Sequence, residues 1–205
     1  MTADGGDDAP PGLRERSKAR RRALIMTTAM RLFAERGYDS VTVADIAAAA
    51  EVAPRTVAGY FPSKGELALA FAEEVADRVA AAFTARPGGG FFDIVEAWLI
   101  EEERLFDPAT AALARDMYQA NPSLQALGSA HVTRAFEVGI AALVAEVGRP
   151  AEDPMMTVCS TVVPASLSAY LAVLAEGEAA PEFRRSFMAY LRAITDAARL
   201  APASR

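Results

Sequence analysis

The chain has 205 residues, of which 52% are hydrophobic, and it carries a formal net charge of −6. This length and hydrophobic content suit one small and one larger domain with a substantial core, without repeats at the periods of solenoid proteins. The net negative charge argues against a protein that coats nucleic acid without specificity. The charge is uneven, however: residues 1–64 hold ten Lys and Arg against eight Asp and Glu, whereas residues 65–205 hold eleven against nineteen.

Cys159 is the only cysteine, so no disulfide can form within the chain and a reducing cytoplasm is the expected compartment. The N-terminus is acidic and lacks an apolar segment, which argues against a secretory signal. Residues 155–175 carry no charge and are long enough to cross a membrane. Because serines and threonines dilute this stretch and no cationic flank borders it, we expect a buried or dimer-interface helix there and no membrane partner.

The chain is predicted to begin with a disordered tail, residues 1–12, which has no apolar period. A first helix is expected over residues 17–36 and should end at Gly37. The residues of this helix that are expected to face inward are Leu24, Thr28, Leu32 and Phe33.

A cluster of cations surrounds the start of this helix: Arg14, Arg16, Lys18, Arg20, Arg21 and Arg22. The cluster is either a solvated helix start or an arm that neutralises phosphate or enters a minor groove. We favour the arm, because the cluster directly precedes the motif described next, and we select Arg20 and Arg21 as its DNA-contacting residues.

Residues 43–64 carry the pattern of two short helices joined by a tight turn at residues 51–53. Their apolar positions let the two helices bury one shared face. This spacing predicts a helix-turn-helix, whose second helix is built to lie in a DNA major groove. The residues that mark the boundaries are Thr42 and Asp45 at the start of the first helix, Pro54 at the start of the second, Pro62 after it, and Ser63 as the cap of the next helix.

Residues 20–67 resemble the N-terminal DNA-binding domain of the tetracycline-repressor (TetR/AcrR-like) family of bacterial regulators. The resemblance implies an all-α fold, in which a three-helix DNA-binding domain is joined by a connector helix to a larger helical domain for ligand binding and dimerisation. The expected domains are residues 13–64, including the basic arm, and residues 65–205. The matching elements are Leu32-Phe33, Gly37-Tyr38, Thr42-Val43, Asp45-Ile46-Ala47, Ala50, Val52, Thr56, Tyr60-Phe61 and Ser63-Lys64.

Three residues depart from the family pattern. Glu51 stands where the family usually has a turn glycine, and it indicates a turn that avoids a strictly left-handed conformation. Ala53 stands where a capping serine or threonine is usual, which removes one phosphate contact. Gly59 stands where a larger side chain often faces DNA, and it weakens the helix by about 1 kcal/mol relative to alanine.

The resemblance also implies which residues contact DNA. Arg55 is the best candidate for a base-edge contact, ideally with guanine, and Thr56 is placed to touch a base or a phosphate. Thr42, Tyr60 and Lys64 match positions that usually hold the DNA backbone. The full predicted set is Arg20, Arg21, Thr42, Ala53, Pro54, Arg55, Thr56, Gly59, Tyr60 and Lys64.

The rest of the chain is predicted to be helical, and no segment alternates convincingly enough for a strand. A run of proline and glycine at residues 87–90 is expected to form a hinge, since no Gly-Lys-Ser/Thr follows it to make a phosphate loop. The helices are expected over residues 64–86, 91–105, 108–120, 122–147, 153–175 and 181–200.

The second domain is expected to bind a neutral or amphipathic small molecule in a chiefly apolar pocket and to form a homodimer, as the resemblance implies. The predicted ligand-binding residues are Trp98, Leu127, His131, Phe136, Thr157 and Tyr170. The predicted dimer interface is an aromatic stripe on the last helix, consisting of Phe183, Phe187, Tyr190 and Ile194.

These features predict a dimeric, ligand-responsive transcriptional regulator, most simply a repressor that a small molecule releases from a palindromic operator. His131 is the only histidine and has no metal-ligand spacing beside it, so no metal, cofactor or catalytic site is expected. An enzyme would need convergent titratable groups that the sequence does not assemble. A helical dimeric adaptor, or a regulator without a small-molecule ligand, remains the alternative.

Overall fold

The computed structural model describes residues 12–86, 89–176 and 181–202. Within these residues every regular element is a helix, as predicted. The predicted disordered tail lies outside the described residues apart from Gly12, as does the start of the predicted hinge. The helices are α1 Leu13–Arg36, α2 Val43–Ala49, α3 Pro54–Tyr60, α4 Lys64–Thr84, α5 Phe91–Leu105, α6 Pro108–Ala120, α7 Pro122–Ala135, a single 3-10 turn Phe136–Gly139, α8 Ile140–Val147, α9 Pro154–Ala175 and α10 Pro181–Leu200.

Helix α1 begins at Leu13, four residues earlier than predicted, so the basic residues form part of the helix and not a separate arm. Residues 13–24, which we call the outer part of α1, are almost entirely exposed. Leu24 belongs to this part and is half exposed, so its predicted inward orientation is wrong. The helix becomes buried from Ile25 onward and ends at Gly37, whose φ of +80° suits glycine.

Two buried clusters form the core of the chain. The first joins α1, α2 and α3 to the start of α4, and it also takes Ala114, Met117 and Leu124 from α6 and α7. The second joins the rest of α4 to α5 and to the helices that follow α6. Helix α4 therefore contributes to both clusters along its length, with Leu67 in the first and Val79 in the second.

The helix predicted over residues 122–147 is interrupted by the 3-10 turn Phe136–Gly139. At this point the ring of Phe83 packs directly on the backbone of Gly139, where an added Cβ would lie 2.6 Å from the ring carbon Cζ. The close approach of an aromatic side chain from α4 accompanies the interruption, and only glycine leaves the space for it. Gly148 then ends α8 in the left-handed conformation, with a φ of +71°.

Helix α9 is, among the described helices, the one long and apolar enough to cross a membrane by length and composition. Core helices of soluble proteins meet the same criterion. A third of its most apolar segment is buried within this chain, so much of its apolar surface faces outward. The exposed positions form a stripe of small, uncharged residues at helical spacing: Val158, Thr161, Ala165, Ala169 and Ala172.

The side-chain amide of Asn121 links the two parts of the chain. Asn121 lies between α6 and α7 and is buried. Its Oδ1 accepts the backbone N–H of Tyr38 at 2.7 Å, and its Nδ2 donates to the carbonyl oxygens of Phe33 at 3.0 Å and Met117 at 2.8 Å. The same amide therefore joins backbone groups at the end of α1 to the end of α6, and it is a second partner for Phe33 O, which also accepts the backbone N–H of Gly37 at 3.0 Å.

Replacement of Asn121 by alanine should lower the free energy of unfolding by about 3 kcal/mol, because it removes three hydrogen bonds to the backbone, two of them buried. The measurement is urea unfolding followed by circular dichroism. Gln125→Ala is the matched control, since it removes an amide side chain from an exposed position on α7. Equal stability of the two variants would contradict the role of Asn121.

Candidate DNA-binding surface

The first helix of the predicted motif is held by a capping box. The Oγ1 of Thr42 accepts the backbone N–H of Asp45 at 3.2 Å, while Oδ2 of Asp45 accepts the backbone N–H of Thr42 at 2.8 Å. The Thr42 hydroxyl also donates to the same carboxylate oxygen at 2.5 Å. These hydrogen bonds lower the pKa of Asp45 below its ordinary value, so the carboxylate is charged at the N-terminus of α2.

The turn between α2 and α3 is left-handed at Glu51, which has a φ of +54°. The backbone N–H of Val52 donates to Ala47 O at 2.9 Å and that of Glu51 donates to Ala48 O at 3.2 Å, which is the Schellman pattern. The prediction that Glu51 avoids the left-handed conformation is therefore wrong. The hydrogen bonds that end α2 require it, and a non-glycine residue adopts it at a cost.

Helix α3 rests on the first core through Val57, which is buried, while Thr56 and Tyr60 are half buried at its edges. Its first residue, Pro54, needs no N–H partner, and Ala53 precedes it without a side-chain cap. The outward face carries Pro54, Arg55, Ala58 and Gly59, all exposed.

The C-terminal end of the motif is fixed from the inside by Lys64. Its Nζ donates to the carbonyl oxygens of Tyr38 and Val41, at 3.0 Å each, and lies 4.2 Å from the centre of the Tyr38 ring. The side chain is half buried and its ammonium group is engaged within the chain. Its contact with the DNA backbone stays a prediction, and removal of this side chain would also unsettle the link between α1, α2 and α4. The predicted cap Ser63 accepts the backbone N–H of Glu66 at 3.1 Å.

The outer part of α1 is anchored at its inner end by Arg22. This side chain pairs with Glu74 of α4, and its guanidinium lies 4.8 Å from the centre of the Phe61 ring. Arg20 and Arg21, the two residues predicted to contact DNA, are exposed beyond this anchor. They flank an open surface depression together with Ser17 and Leu24.

The structure does not bring the six predicted ligand-binding residues into one pocket. Trp98 and Phe136 pack edge to face in the second core, with ring centres 5.5 Å apart, and His131 is half buried. Leu127 and Thr157 are exposed, so their assignment as pocket residues is corrected. Helix α7 turns Leu127 to the outside, and α9 does the same for Thr157.

Tyr170 lies deep in the second core, where its hydroxyl donates to Glu103. The same carboxylate pairs with Arg184 of α10. Burial, and next the hydrogen bond to Glu103, raise the pKa of Tyr170 far above its ordinary value. The Tyr170 hydroxyl therefore joins α5, α9 and α10 by an internal polar contact.

The cavity next to Phe136 has a volume of about 10 Å³, roughly the space of one water molecule. It lies between the 3-10 turn, α8 and α9. The indole N–H of Trp98 is buried beside Phe136 and has no hydrogen-bond partner within the described part of the chain.

The aromatic stripe predicted as the dimer interface faces mostly inward. Phe187 is buried in the second core, and Phe183 and Ile194 pack against that core from its edge. Phe183 and Phe187 both lie against the ring of Tyr170, at 5.2 and 4.8 Å between ring centres. Tyr190 alone of the four is half exposed. Phe187 is buried, so its assignment to the dimer interface is corrected, whereas Phe183, Tyr190 and Ile194 stay predicted interface residues.

The sequence interpretation missed the face of α10 that does point outward. It carries the small residues Ser186, Ala189, Ala193 and Ala197 beside Tyr190. Their spacing of three and four residues was a usable signal, but the interface was assigned to the larger aromatic residues on the neighbouring side of the helix. Together with the small-residue stripe of α9, this face gives the chain two exposed helix faces of low polarity.

Comparisons with known proteins bear on the N-terminal part most strongly. Residues 25–71 match the family model of bacterial regulatory proteins, tetR family. A stretch of 79 residues is 42% identical to the HTH-type transcriptional regulator TcmR of Streptomyces glaucescens. That match covers 38% of this chain and 35% of the relative, so it spans about a third of the relative's length.

Solved structures share the fold of this chain over most of its length. Salmonella enterica GusR has a TM-score of 0.56 and 24% identity, over 86% of this chain and 96% of that one. A TetR-like transcriptional regulator from Rhodococcus sp. RHA1 has a TM-score of 0.55 and 18% identity, over 91% and 96% of the two chains. At these identities the likeness establishes the common helical fold.

Replacement of Glu51 by glycine should raise the free energy of unfolding by about 1 kcal/mol, because glycine adopts the left-handed conformation without the steric cost. Arg31→Gly is the control with the opposite sign, since Arg31 is exposed inside α1 and glycine there should cost about 1 kcal/mol. Urea unfolding of both variants measures the difference. A loss of stability in Glu51→Gly would show that the Glu51 side chain, and not the backbone conformation, governs the turn.

Proposed function

We propose that this chain, which belongs to the tetR family of bacterial regulatory proteins, is a sequence-specific DNA-binding regulator of transcription rather than an enzyme. The observation that carries the proposal is helix α3, which presents Arg55 on an exposed face free of other charges. The capping box of α2, the left-handed turn at Glu51 and the buried contact of Val57 hold that face outward. An exposed short helix on a rigid support is the arrangement that enters a major groove.

In this proposal Arg55 reads a guanine, because its guanidinium can donate two parallel hydrogen bonds to O6 and N7. Thr56 and Tyr60, half buried at the edges of α3, lie beside the DNA backbone, and the Thr42 hydroxyl is close to the N-terminus of α2. Contacts of this kind fix the register of the protein without reading the sequence.

The outer part of α1 supplies the electrostatic component. It carries cations on several sides and extends as a helix of about 18 Å, from its twelve residues at 1.5 Å each. Since Glu15 is the only acidic residue among residues 13–24, we propose that this part neutralises phosphates flanking the α3 contact, with Arg20 and Arg21 among the groups involved. The affinity for DNA should therefore fall steeply with salt concentration.

We propose a homodimer that places two copies of α3 in successive major grooves of a palindromic operator, one helical turn apart. The small-residue faces of α9 and α10 support this assembly, because small side chains let helices of two copies approach closely. An apolar exposed face of this length is a natural interface in a soluble protein. We place the protein in the cytoplasm, where its DNA target lies.

We further propose that a neutral or amphipathic small molecule binds in the second core and releases the protein from its operator, which makes it a repressor. The unpartnered indole N–H of Trp98 supports this location, since a buried donor gains free energy when a ligand accepts its hydrogen bond. Helix α4 lines that core and also carries the DNA-binding helices. A ligand that favours one position of α4 would thereby change the affinity for DNA.

The small volume of the cavity beside Phe136 favours the alternative, a dimeric regulator that has no small-molecule ligand. A drug-sized ligand needs a pocket of several hundred Å³, so the second core would have to open. Thermal unfolding in the presence of a panel of lipophilic and phenolic compounds separates the two: a raised midpoint supports a ligand, and no shift across the panel supports the alternative.

The proposed function is tested by selecting duplexes from a random DNA pool with the purified protein at two salt concentrations. We expect enrichment of a palindrome, with affinity that falls as salt rises. Arg55→Ala should then bind the selected operator with about 1–3 kcal/mol less free energy and should lose discrimination at one guanine of each half-site. Arg36→Ala is the control, since it removes an equally exposed cation at the far end of α1. An unchanged base preference in Arg55→Ala would overturn the role of this residue.

The dimer is tested by placing a charge on the exposed small-residue face of α10. Ala193→Glu should convert the protein to a monomer in sedimentation equilibrium and weaken operator binding, because it buries an unpaired carboxylate between copies. Ala126→Glu, on an exposed position of α7, should leave the dimer intact. A dimer of wild-type strength in Ala193→Glu would place the interface elsewhere.

A further inference from the structure

The outward face of α3 is poor in groups that can hydrogen bond to a base. Besides Arg55, its exposed residues are Pro54, Ala58 and Gly59, none of which has a polar side chain. Thr56 and Tyr60 are half buried at the sides of the helix. Hydrogen bonding by side chains at the centre of this face therefore depends on one residue, and any further base discrimination has to come from apolar contact or from the backbone.

Ala58 and Gly59 lie on the same face as Arg55, since they follow it by three and four residues along the helix. A Cβ added at Gly59 would meet no atom of the chain within 4 Å, so the space in front of this residue is open to the outside. The helix backbone is thus uncovered at Gly59, and the Ala58 methyl is the most prominent apolar group beside it.

We propose that Ala58 is a specificity-determining residue whose methyl group packs against the C5-methyl of a thymine in the major groove. Gly59 lets the helix backbone come close enough to the bases for this short side chain to reach. The inference rests on the proposed function and adds a second base, next to the guanine contacted by Arg55, to each half-site.

The chemistry favours thymine over the other bases. Thymine is the one DNA base with a methyl group on its major-groove edge, and alanine is a side chain that recognises it by apolar contact. A cytosine at the same place has a hydrogen at C5 instead of a methyl group, so the Ala58 methyl would lose its apolar contact. A longer side chain at residue 59 would hold α3 away from the base edges and open a gap at this contact.

The test uses the operator obtained by selection and removes one methyl group at a time from the DNA. Each thymidine of a half-site is replaced by deoxyuridine, which keeps base pairing and loses only the C5-methyl. For the wild-type protein, one position in each half-site should raise the Kd by about threefold to fivefold. In Ala58→Gly the same replacement should have no effect at that position.

For each variant, the Kd for the deoxyuridine duplex is divided by the Kd for the thymidine duplex. If Ala58→Gly binds all DNA more weakly because of its lower helix propensity, that loss cancels in the ratio. Arg55→Ala is the matched control, because it should keep the deoxyuridine effect while losing the guanine preference. The inference is overturned if deoxyuridine has no effect on the wild-type protein, or if it has the same effect on wild type and on Ala58→Gly. In either case the proposed function still stands, because an operator has been selected. A pool that yields no enriched sequence overturns both.

Gly59→Ala gives an independent test, because it should change thermal stability and operator affinity in opposite directions. It should raise the midpoint of thermal unfolding, since alanine favours the helix and meets no atom of the chain there. It should nevertheless weaken operator binding several-fold, because the added methyl separates α3 from the bases. Unchanged operator affinity in this variant would overturn the close approach on which the thymine contact depends.

Discussion

Helix α4 belongs to both buried clusters, and this sharing determines how the DNA-binding helices are held. Its first turns pack with α1, α2 and α3, whereas its later turns pack with the helices from α5 onward. One rigid helix therefore cannot move relative to either cluster without disturbing the packing of the other. The buried amide of Asn121 adds a second link at the end of α1, so the N-terminal helices are also tied to α6 and α7.

This double attachment matters because α2 and α3 have seven residues each, far too few to be stable as isolated helices. Their shape depends on tertiary contact through Ile46 and Val57 and on the hydrogen bonds at their ends. Lys64 contributes from the inside by joining two carbonyl groups of the loop between α1 and α2. The side chains that would touch DNA are thus presented by a support made of caps, one left-handed turn and a small core.

Much of this support could be predicted from the sequence, because caps and stops act through neighbouring residues. Thr42, Pro54 and Ser63 mark helix starts by local chemistry, and α5, α6 and α10 have the bounds that were expected. The errors occur where a distant contact decides the outcome. The interruption after α7 accompanies the approach of Phe83 from another helix, and the direction of the aromatic stripe on α10 depends on where Tyr170 lies. At Glu51 the backbone hydrogen bonds of the α2 end outweighed the preference of the residue type.

The sequence predicts the proposed DNA-binding site better than it predicts the proposed ligand site. The proposed DNA contacts follow from a local motif, so their elements could be named, whereas the proposed ligand site depends on how five or more helices pack and could not. The exposed face of α3 also limits how well the protein can discriminate between base sequences. With Arg55 as the main polar group of this face, contact with one half-site gives little discrimination, since a good bidentate contact contributes about 1–3 kcal/mol.

A dimer doubles the contribution of each base contact, because both half-sites engage one rigid pair of heads. In the proposed function, the cations of the outer part of α1 raise the affinity for any duplex, whether or not its sequence matches. Such electrostatic binding adds to affinity and leaves the specificity ratio unchanged. In the proposed function, selection among sequences therefore depends on Arg55, on the apolar centre of α3 and on the spacing that the proposed dimer imposes. In this proposal the spacing depends on α4, which packs in both cores, so the packing of the second core affects which operators the dimer can bind.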